Sequence, residues 1–416
     1  MKKINYIVCF LLVVLMVITG CTSLSNDLME GIESKNRDGV PAPMDDNLNR
    51  AILDFTWDMF KKSSENEGNI MISTPSVYFA LAMTLNGADN ETRTDMLKTL
   101  KAENISIEQL NAGLNDWMNS LMNEDRIAKF SIANSIWYRE GFAANKEFLQ
   151  TNADYYSAYV KSVDFSDKSA PGTINKWVAD ATNGKIDKIV EEINDDVMMY
   201  LINAIYFKGD WKEQFSANNT YKMQFNYPTG TVETDFMNRR GDMDYLQADG
   251  ATGVILPYLD EQFAFVGILP EEGQSPKEFI NNLTPMDFIE LMKNKETRNI
   301  ELSIPKFESS YDDSLKNELS KLGMETAFDP TNADFSLMKE DKNKDLYISE
   351  VIHKTFIKVD EKGTEAAAVT SVEVSETSIP VEIQRVVFDR PFVYGIVDTT
   401  TGIPLFMGIM ENPTIK

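Results

Sequence analysis

Apolar residues return at helical spacing from Leu48 to Lys62, a stretch that holds Phe55, Trp57 and Phe60, and this predicts a helix. Asn69 to Ser73 predicts a short strand. Ser73-Thr74-Pro75-Ser76 then reads as a helix start, with hydroxyl caps and proline near the first turn. That helix runs from about Val77 to Leu85 and stops at Asn86-Gly87, and another spans about Glu91 to Leu100. Ser131 to Trp137 predicts a strand and Asn145 to Tyr156 a helix. Ile174 to Thr182 is helical and ends at Asn183-Gly184, a fitting C-terminal stop. Met198 to Phe207 is a long apolar run that suits a strand buried on both faces.

Thr231 to Phe236, Gly253 to Tyr258 and Phe263 to Leu269 predict further strands. Ser275 to Lys293 divides into two helical stretches near Pro285. Asn299 to Ile304 and Val351 to Val359 alternate cleanly and are expected to be neighbouring strands. Val386 to Phe388, Phe392 to Val397 and Leu405 to Met410 close the chain as strands. Helices dominate the first half and strands the second, without strict alternation. The pattern predicts an α+β fold with mainly antiparallel sheets.

One stretch has two characters. From Glu361 the chain reads Glu-Lys-Gly-Thr-Glu-Ala-Ala-Ala-Val-Thr-Ser-Val-Glu-Val-Ser-Glu-Thr-Ser. Its even positions, Thr364, Ala366, Ala368, Thr370, Val372 and Val374, carry no charge and fit inside a sheet. Its odd positions include Glu365, Ser371, Glu373 and Ser375, which prefer water. The segment is competent both as an exposed loop and as an inserted strand.

The 416 residues are 43% hydrophobic, ample for a large core. A formal charge of -25 argues against nucleic acid, because phosphate binding needs a basic face. The only cysteines are Cys9 and Cys21, and the only histidine is His353. A lone histidine excludes a multi-histidine metal site, and no Cys or His cluster has ligand spacing, so no metal or cofactor is expected; the lack of a Gly-x-Ser-x-Gly elbow argues against a catalytic triad. His353 shares parity with Val351, Thr355, Ile357 and Val359, which points it into a core.

Lys2 and Lys3 precede an apolar run from Ile7 to Ile18, too short to span a bilayer. Ile18-Thr19-Gly20-Cys21 resembles the bacterial lipobox. It implies removal of a signal peptide, residues 1–20, and lipidation of Cys21. An ordinary secretory signal is the alternative. Residues 21–46 read as a polar tether, and 47–416 as one domain.

Glu361 to Val369 closely resembles the hinge of the serpin family, the suicide inhibitors of proteases. Phe388-Asp389-Arg390-Pro391-Phe392 and Pro404-Leu405-Phe406-Met407-Gly408 resemble its C-terminal signature, and Asn203 to Phe215 another. Asn175, Thr182, Gly184, Lys185 and Ile186 fit the family's helix pattern. The resemblance implies a serpin fold, with a large central sheet A, two smaller sheets, about eight or nine helices and an exposed reactive-centre loop. It also implies a protein that is not an enzyme, and the lipobox resemblance makes it a bacterial lipoprotein.

The roles it implies are these. Glu361, Gly363, Thr364, Glu365, Ala366, Ala367 and Ala368 form the hinge. Trp211, Lys306 and Glu361 lie at the breach, where the loop first enters the sheet. Ser73, Ser76, Asn203 and His353 form the shutter, a buried polar cluster beneath it. Static core packing is the alternative for each cluster. Family spacing puts the reactive bond at Thr377–Ser378, with Glu376 an alternative. A threonine bait suits elastase- or subtilisin-like serine proteases, with papain-like cysteine proteases also open. The expected partner is the target protease in a covalent complex. The protein is expected to be a monomer, exported and held in the cell envelope by lipid at Cys21, periplasmic or surface-exposed. The competing readings are a non-inhibitory serpin acting as a carrier and a solute-binding lipoprotein.

Overall fold

The computed structural model describes residues 25–34, 41–122, 127–248, 250–364 and 383–415. Most of its longer helices start where side chains satisfy free amides, Thr74–Leu85 and Ala170–Ala181 being exceptions. Asp46–Ser63 (α1) begins at Asp45, whose carboxylate accepts from the Asn47 and Leu48 amides. Thr74–Leu85 (α2) has no polar face, and all of its residues are buried. Asn90–Thr99 (α3) is capped by Asp89, and Ile107–Leu121 (α4) by a reciprocal pair, Ser106 and Gln109. Asn145 caps Lys146–Tyr156 (α5), and Ala170–Ala181 (α6) follows. Pro276–Asn282 (α7) and Pro285–Lys293 (α8) each carry a capping box, so the break before Pro285 is a true helix boundary. A ninth helical segment, 316–328, is broken at Gly323. The sequence reading passed over α4 and this broken segment.

The strands, in chain order, are Ser25–Asp27 (β1), Ile70–Ile72 (β2), Lys129–Arg139 (β3), Tyr159–Val163 (β4), Met199–Asp210 (β5), Thr220–Tyr227 (β6), Gly230–Ala248 (β7) and Ala251–Pro257 (β8). They continue with Phe263–Pro270 (β9), Glu296–Pro305 (β10), Phe307–Ser314 (β11), Glu350–Asp360 (β12), Gly363–Thr364 (β13), Gln384–Val387 (β14), Phe392–Asp398 (β15) and Pro404–Met410 (β16).

One seven-stranded sheet runs β1-β4-β3-β5-β13-β12-β11. A second, of nine strands, runs β14-β10-β7-β8-β9-β15-β16-β2, with β6 on β7. The two smaller sheets expected are therefore continuous. The cause is β7, 19 residues long, which pairs with β6 and β10 along most of its length and with β8 at its end. A second correction concerns Asn299–Ile304 and Val351–Val359. They are not neighbours: β10 lies between β14 and β7, and β12 pairs with β11, β5 and β13 in the other sheet. Alternation reports that one strand face is buried, and carries nothing about which strand lies alongside.

The seven-stranded sheet is covered on both faces. The main core joins one face to α1, α2 and the nine-stranded sheet. On the other, Ile174 and Val178 of α6 pack on Trp137, Val163, Ile202 and Ala204. This accounts for the unbroken apolar run of β5. The loop after α6 is stapled by Asn175, whose carbonyl accepts from the Ile189 and Val190 amides (2.8 and 2.9 Å) and whose amide donates to the Val190 carbonyl (2.8 Å).

The region read as a tether is in part docked. Residues 25–27 add a strand to the β4 edge, and Leu28, Met29 and Ile32 pack on the main core. Cys21 lies outside the described residues. Asn175→Ala should lower the urea unfolding free energy by about 1–2 kcal/mol, because three backbone groups lose their partner. A change below a few tenths would show that the staple does not hold the loop.

Candidate functional site

Two neighbouring strands run parallel and then part. β5 and β12 pair over six rows, from Tyr200 beside Glu350 to Ile205 beside Thr355. Above those rows the chain turns back after β12 at Glu361-Lys362 and enters the gap as β13. Gly363 pairs with Asp360 on one side and Asp210 on the other, and Thr364 with Val359 and Gly209. Glycine is needed here for closeness: a Cβ at Gly363 would fall 2.0 Å from the Gly209 carbonyl oxygen.

The turn is clamped from the segment after β5. The Trp211 amide donates to the Lys362 carbonyl and the Phe215 amide to the Glu361 carbonyl, both at 2.8 Å. The Trp211 indole N–H donates to the Asp360 carbonyl (2.9 Å), while its ring stacks on Tyr258 at 4.8 Å. The Tyr258 hydroxyl lies 2.6 Å from the Thr364 hydroxyl, both fully buried. Lys306 Nζ sits 2.9 Å from a Glu361 carboxylate oxygen, and Thr220 donates to the same carboxylate. Burial opposes ionisation of Glu361, but these hydrogen bonds prevail and hold its pKa below the ordinary value. With the Lys306 side chain 34% exposed, the ion pair contributes only about 0–1 kcal/mol. Its effect is to hold the turn in place.

Six rows down the same seam lies a polar cluster in a dry environment. His353 and Asn203 are both completely buried. The Ser73 amide donates to His353 Nε2 (3.1 Å). That leaves Nδ1 carrying the proton, which it donates to the Asn203 side-chain oxygen (2.6 Å). The Asn203 amide donates to the Asn134 side-chain oxygen (2.6 Å). Burial lowers the His353 pKa to about 3, so the ring is neutral in the fold.

The structure thus brings Trp211, Lys306 and Glu361 together, and brings Asn203 to His353. Ser73 enters through its backbone amide. The hydroxyls of Ser73 and Ser76 have no hydrogen-bond partner among the described residues, and Ser73 does not cap α2 with its side chain, contrary to expectation. The buried backbone position next to His353 places the amide, not the hydroxyl, against the ring. Sequence reading missed Asn134, Tyr258, Thr220 and Gly209. Gly209 stood inside a quoted motif, but nothing in the sequence tied the other three to the seam. Glu365, Ala366, Ala367, Ala368, Glu376, Thr377 and Ser378 lie outside the described residues. No group of three or more metal-ligating side chains occurs among those described.

The family model described as "Serpin (serine protease inhibitor)" matches residues 50–413. An uncharacterized serpin-like protein of Thermococcus kodakarensis, TK1782, is 34% identical, the match covering 87% of this chain and 85% of the relative. The leukocyte elastase inhibitor of Xenopus laevis is 30% identical, over 88% and 100%. The native-state crystal structure of tengpin, a thermophilic serpin, is 41% identical, with a TM-score of 0.87 over 93% of this chain and 99% of that one. The chain belongs to the serpin family, whose members are generally protease inhibitors rather than catalysts.

The buried imidazole has a pH signature. The unfolded chain takes up a proton below about pH 6.5, while the folded ring stays neutral down to about 3, so stability is present at neutral pH and falls with acidification between those values. Between pH 7 and pH 5 the loss from this group is about 2 kcal/mol. Urea titrations of the protein and of His353→Gln should differ by that much in their pH dependence. Identical pH profiles would show that the ring is not held neutral.

Proposed function

We propose that this protein is a suicide inhibitor of serine endopeptidases, in which cleavage of the segment after Thr364 lets that segment enter the central sheet as a new strand. The observation that carries this is the wedge itself: Gly363 and Thr364 already occupy the gap between β5 and β12, antiparallel to both. Register carries it further. Counting down from Thr364, Ala366 would come level with Phe207 and Ile357, Ala368 with Ile205 and Thr355, and Thr370 with Asn203 and His353. Odd-numbered residues of β12 are the buried ones, so even-numbered loop residues would face the core. Those are the small and uncharged ones.

Insertion to the Thr370 row would separate His353 from Asn203 and break their hydrogen bond. Insertion down to the Glu373 row would exchange all six parallel rows for two antiparallel ladders, each more favourable per row. In the proposed sequence, the protease serine attacks the bait carbonyl and forms an acyl-enzyme. The released chain inserts before water can deacylate the ester, and the enzyme is dragged along with its active site distorted. Thr377–Ser378 is the proposed bond, with Glu376 the alternative. An elastase- or subtilisin-like protease is the proposed target, a reading supported by likeness to the leukocyte elastase inhibitor. Cys21 is proposed to be acylated after export, anchoring the protein in the cell envelope.

Incubation with an elastase should give an SDS-stable complex, and mass spectrometry should find a released peptide beginning at Ser378. Clean cleavage without a complex would assign the chain to non-inhibitory serpins. Ala366→Arg and Ala368→Arg should turn inhibitor into substrate. Burying an unpaired guanidinium costs several kcal/mol, enough to slow insertion about 100-fold or more relative to deacylation. Full inhibition by both variants would defeat the insertion mechanism.

A further inference from the structure

β1 lies on the edge of the seven-stranded sheet, at the end opposite the hinge. Ser25 pairs with Val163, Asn26 with Ser162 and Asp27 with Lys161. Val163 in turn pairs with Arg139 of β3, whose amide donates to the Met198 carbonyl (3.1 Å). The hinge row, Thr364 beside Gly209, is eleven residues along from Met198. At about 3.3 Å per residue the two levels are ~36 Å apart. β1 is antiparallel to β4, β4 parallel to β3, and β3 antiparallel to β5. The chain preceding Ser25 therefore joins β1 at the end of the sheet remote from the hinge.

The dock has a physical cause. The outer edge of β4 would otherwise present unpaired amides and carbonyls. Beyond the ladder, the Leu28 amide donates to the Val160 carbonyl (3.0 Å). The Gln150 side chain of α5 donates to the Glu33 carbonyl (2.8 Å). Leu28, Met29 and Ile32 add apolar contact with the main core.

Cys21 stands four residues before Ser25, so the chain between them reaches at most ~14 Å. Were 21–46 slack throughout, its root-mean-square reach would be about 28 Å, and the body would turn freely. We propose that the docked N-terminal strand orients the protein on a lipid surface, with the β1–β4 end of the sheet against the bilayer and the hinge facing away. This rests on acylation of Cys21. Its consequence is that the bait is offered to proteases in the medium rather than to those lying on the same membrane.

The mature chain carries no other cysteine, so introduced ones are unique. Lipidated protein is placed in phosphatidylcholine vesicles with acceptor dye on the headgroups, and a donor dye is attached at Glu140→Cys, next to the end of β3, or at Glu213→Cys, near Trp211. Energy transfer should be several-fold higher from 140 than from 213. Inserting about 20 Gly/Ser residues between Leu24 and Ser25, a reach of ~25 Å, should abolish that difference while vesicle binding persists. Equal transfer in the parent protein, or a difference that survives the insertion, would overturn the orientation. Amide exchange on soluble Cys21→Ala should show protection at Asn26 and Leu28. Rapid exchange there would overturn the docked strand whatever the state of Cys21. An N-terminal peptide free of acyl chains would overturn the anchor and the orientation with it, while leaving the docked strand to the exchange measurement.

Discussion

The proposed function depends on one seam in the middle of the central sheet, where β5 and β12 pair and then part around β13. β5 and β12 close it from below with six parallel rows, and the two-residue β13 closes it from above. Parallel pairing is slightly weaker per residue than antiparallel. The upper closure depends on a turn whose carbonyls are held by the Trp211 and Phe215 amides. The His353–Asn203 bond and the Trp211–Tyr258 stack mark two levels of the same seam.

Parity of side chains was the most informative property of the sequence. It placed His353 on the buried face of β12, whereas an unbroken apolar run, not parity, marked Met198 to Phe207 as buried on both faces. Parity also separated Thr364 and the even residues after it from the charged ones. Parity describes one strand at a time, so it could not say that Val351–Val359 and Asn299–Ile304 belong to different sheets. Nor could it show Asn134 completing the polar cluster, because that contact crosses between strands distant in sequence. Ser73 was legible as a residue near His353 but not as a backbone donor, since side-chain type says nothing of which amide a fold leaves open. The N-terminal region was read as a tether from its polar composition. Its docking rests on an edge that exists only once β4 is in place.

The cover over the seam sets a further constraint. α6 packs through Ile174 and Val178 on the face of β3 and β5, and its following loop is stapled by Asn175. In the proposed insertion, a strand entering between β5 and β12 would widen the sheet beneath this cover, and α6 or the loop after it would have to shift for the lower rows to open. The odd-numbered loop residues would come to lie on this covered face. Glu365 would enter it first, near the exposed rim, and Ser371 and Glu373 only at the lower rows, where the stapled loop must have made room.

Why an uncut chain should wait is a matter of reach. With Val374 level with Met199, the strand would extend ten residues below the hinge row, ~33 Å at 3.3 Å per residue. Only ten residues join Val374 to Gln384, and β14 holds Gln384 beside Ile300 in the other sheet. Those ten residues, fully stretched, span at most ~36 Å. An uncut segment could thus insert fully only by drawing this link taut across the molecule or by stripping β14 from β10. In the proposed mechanism a single cut removes this tether, so that insertion requires neither a taut link nor the loss of the β14–β10 ladder.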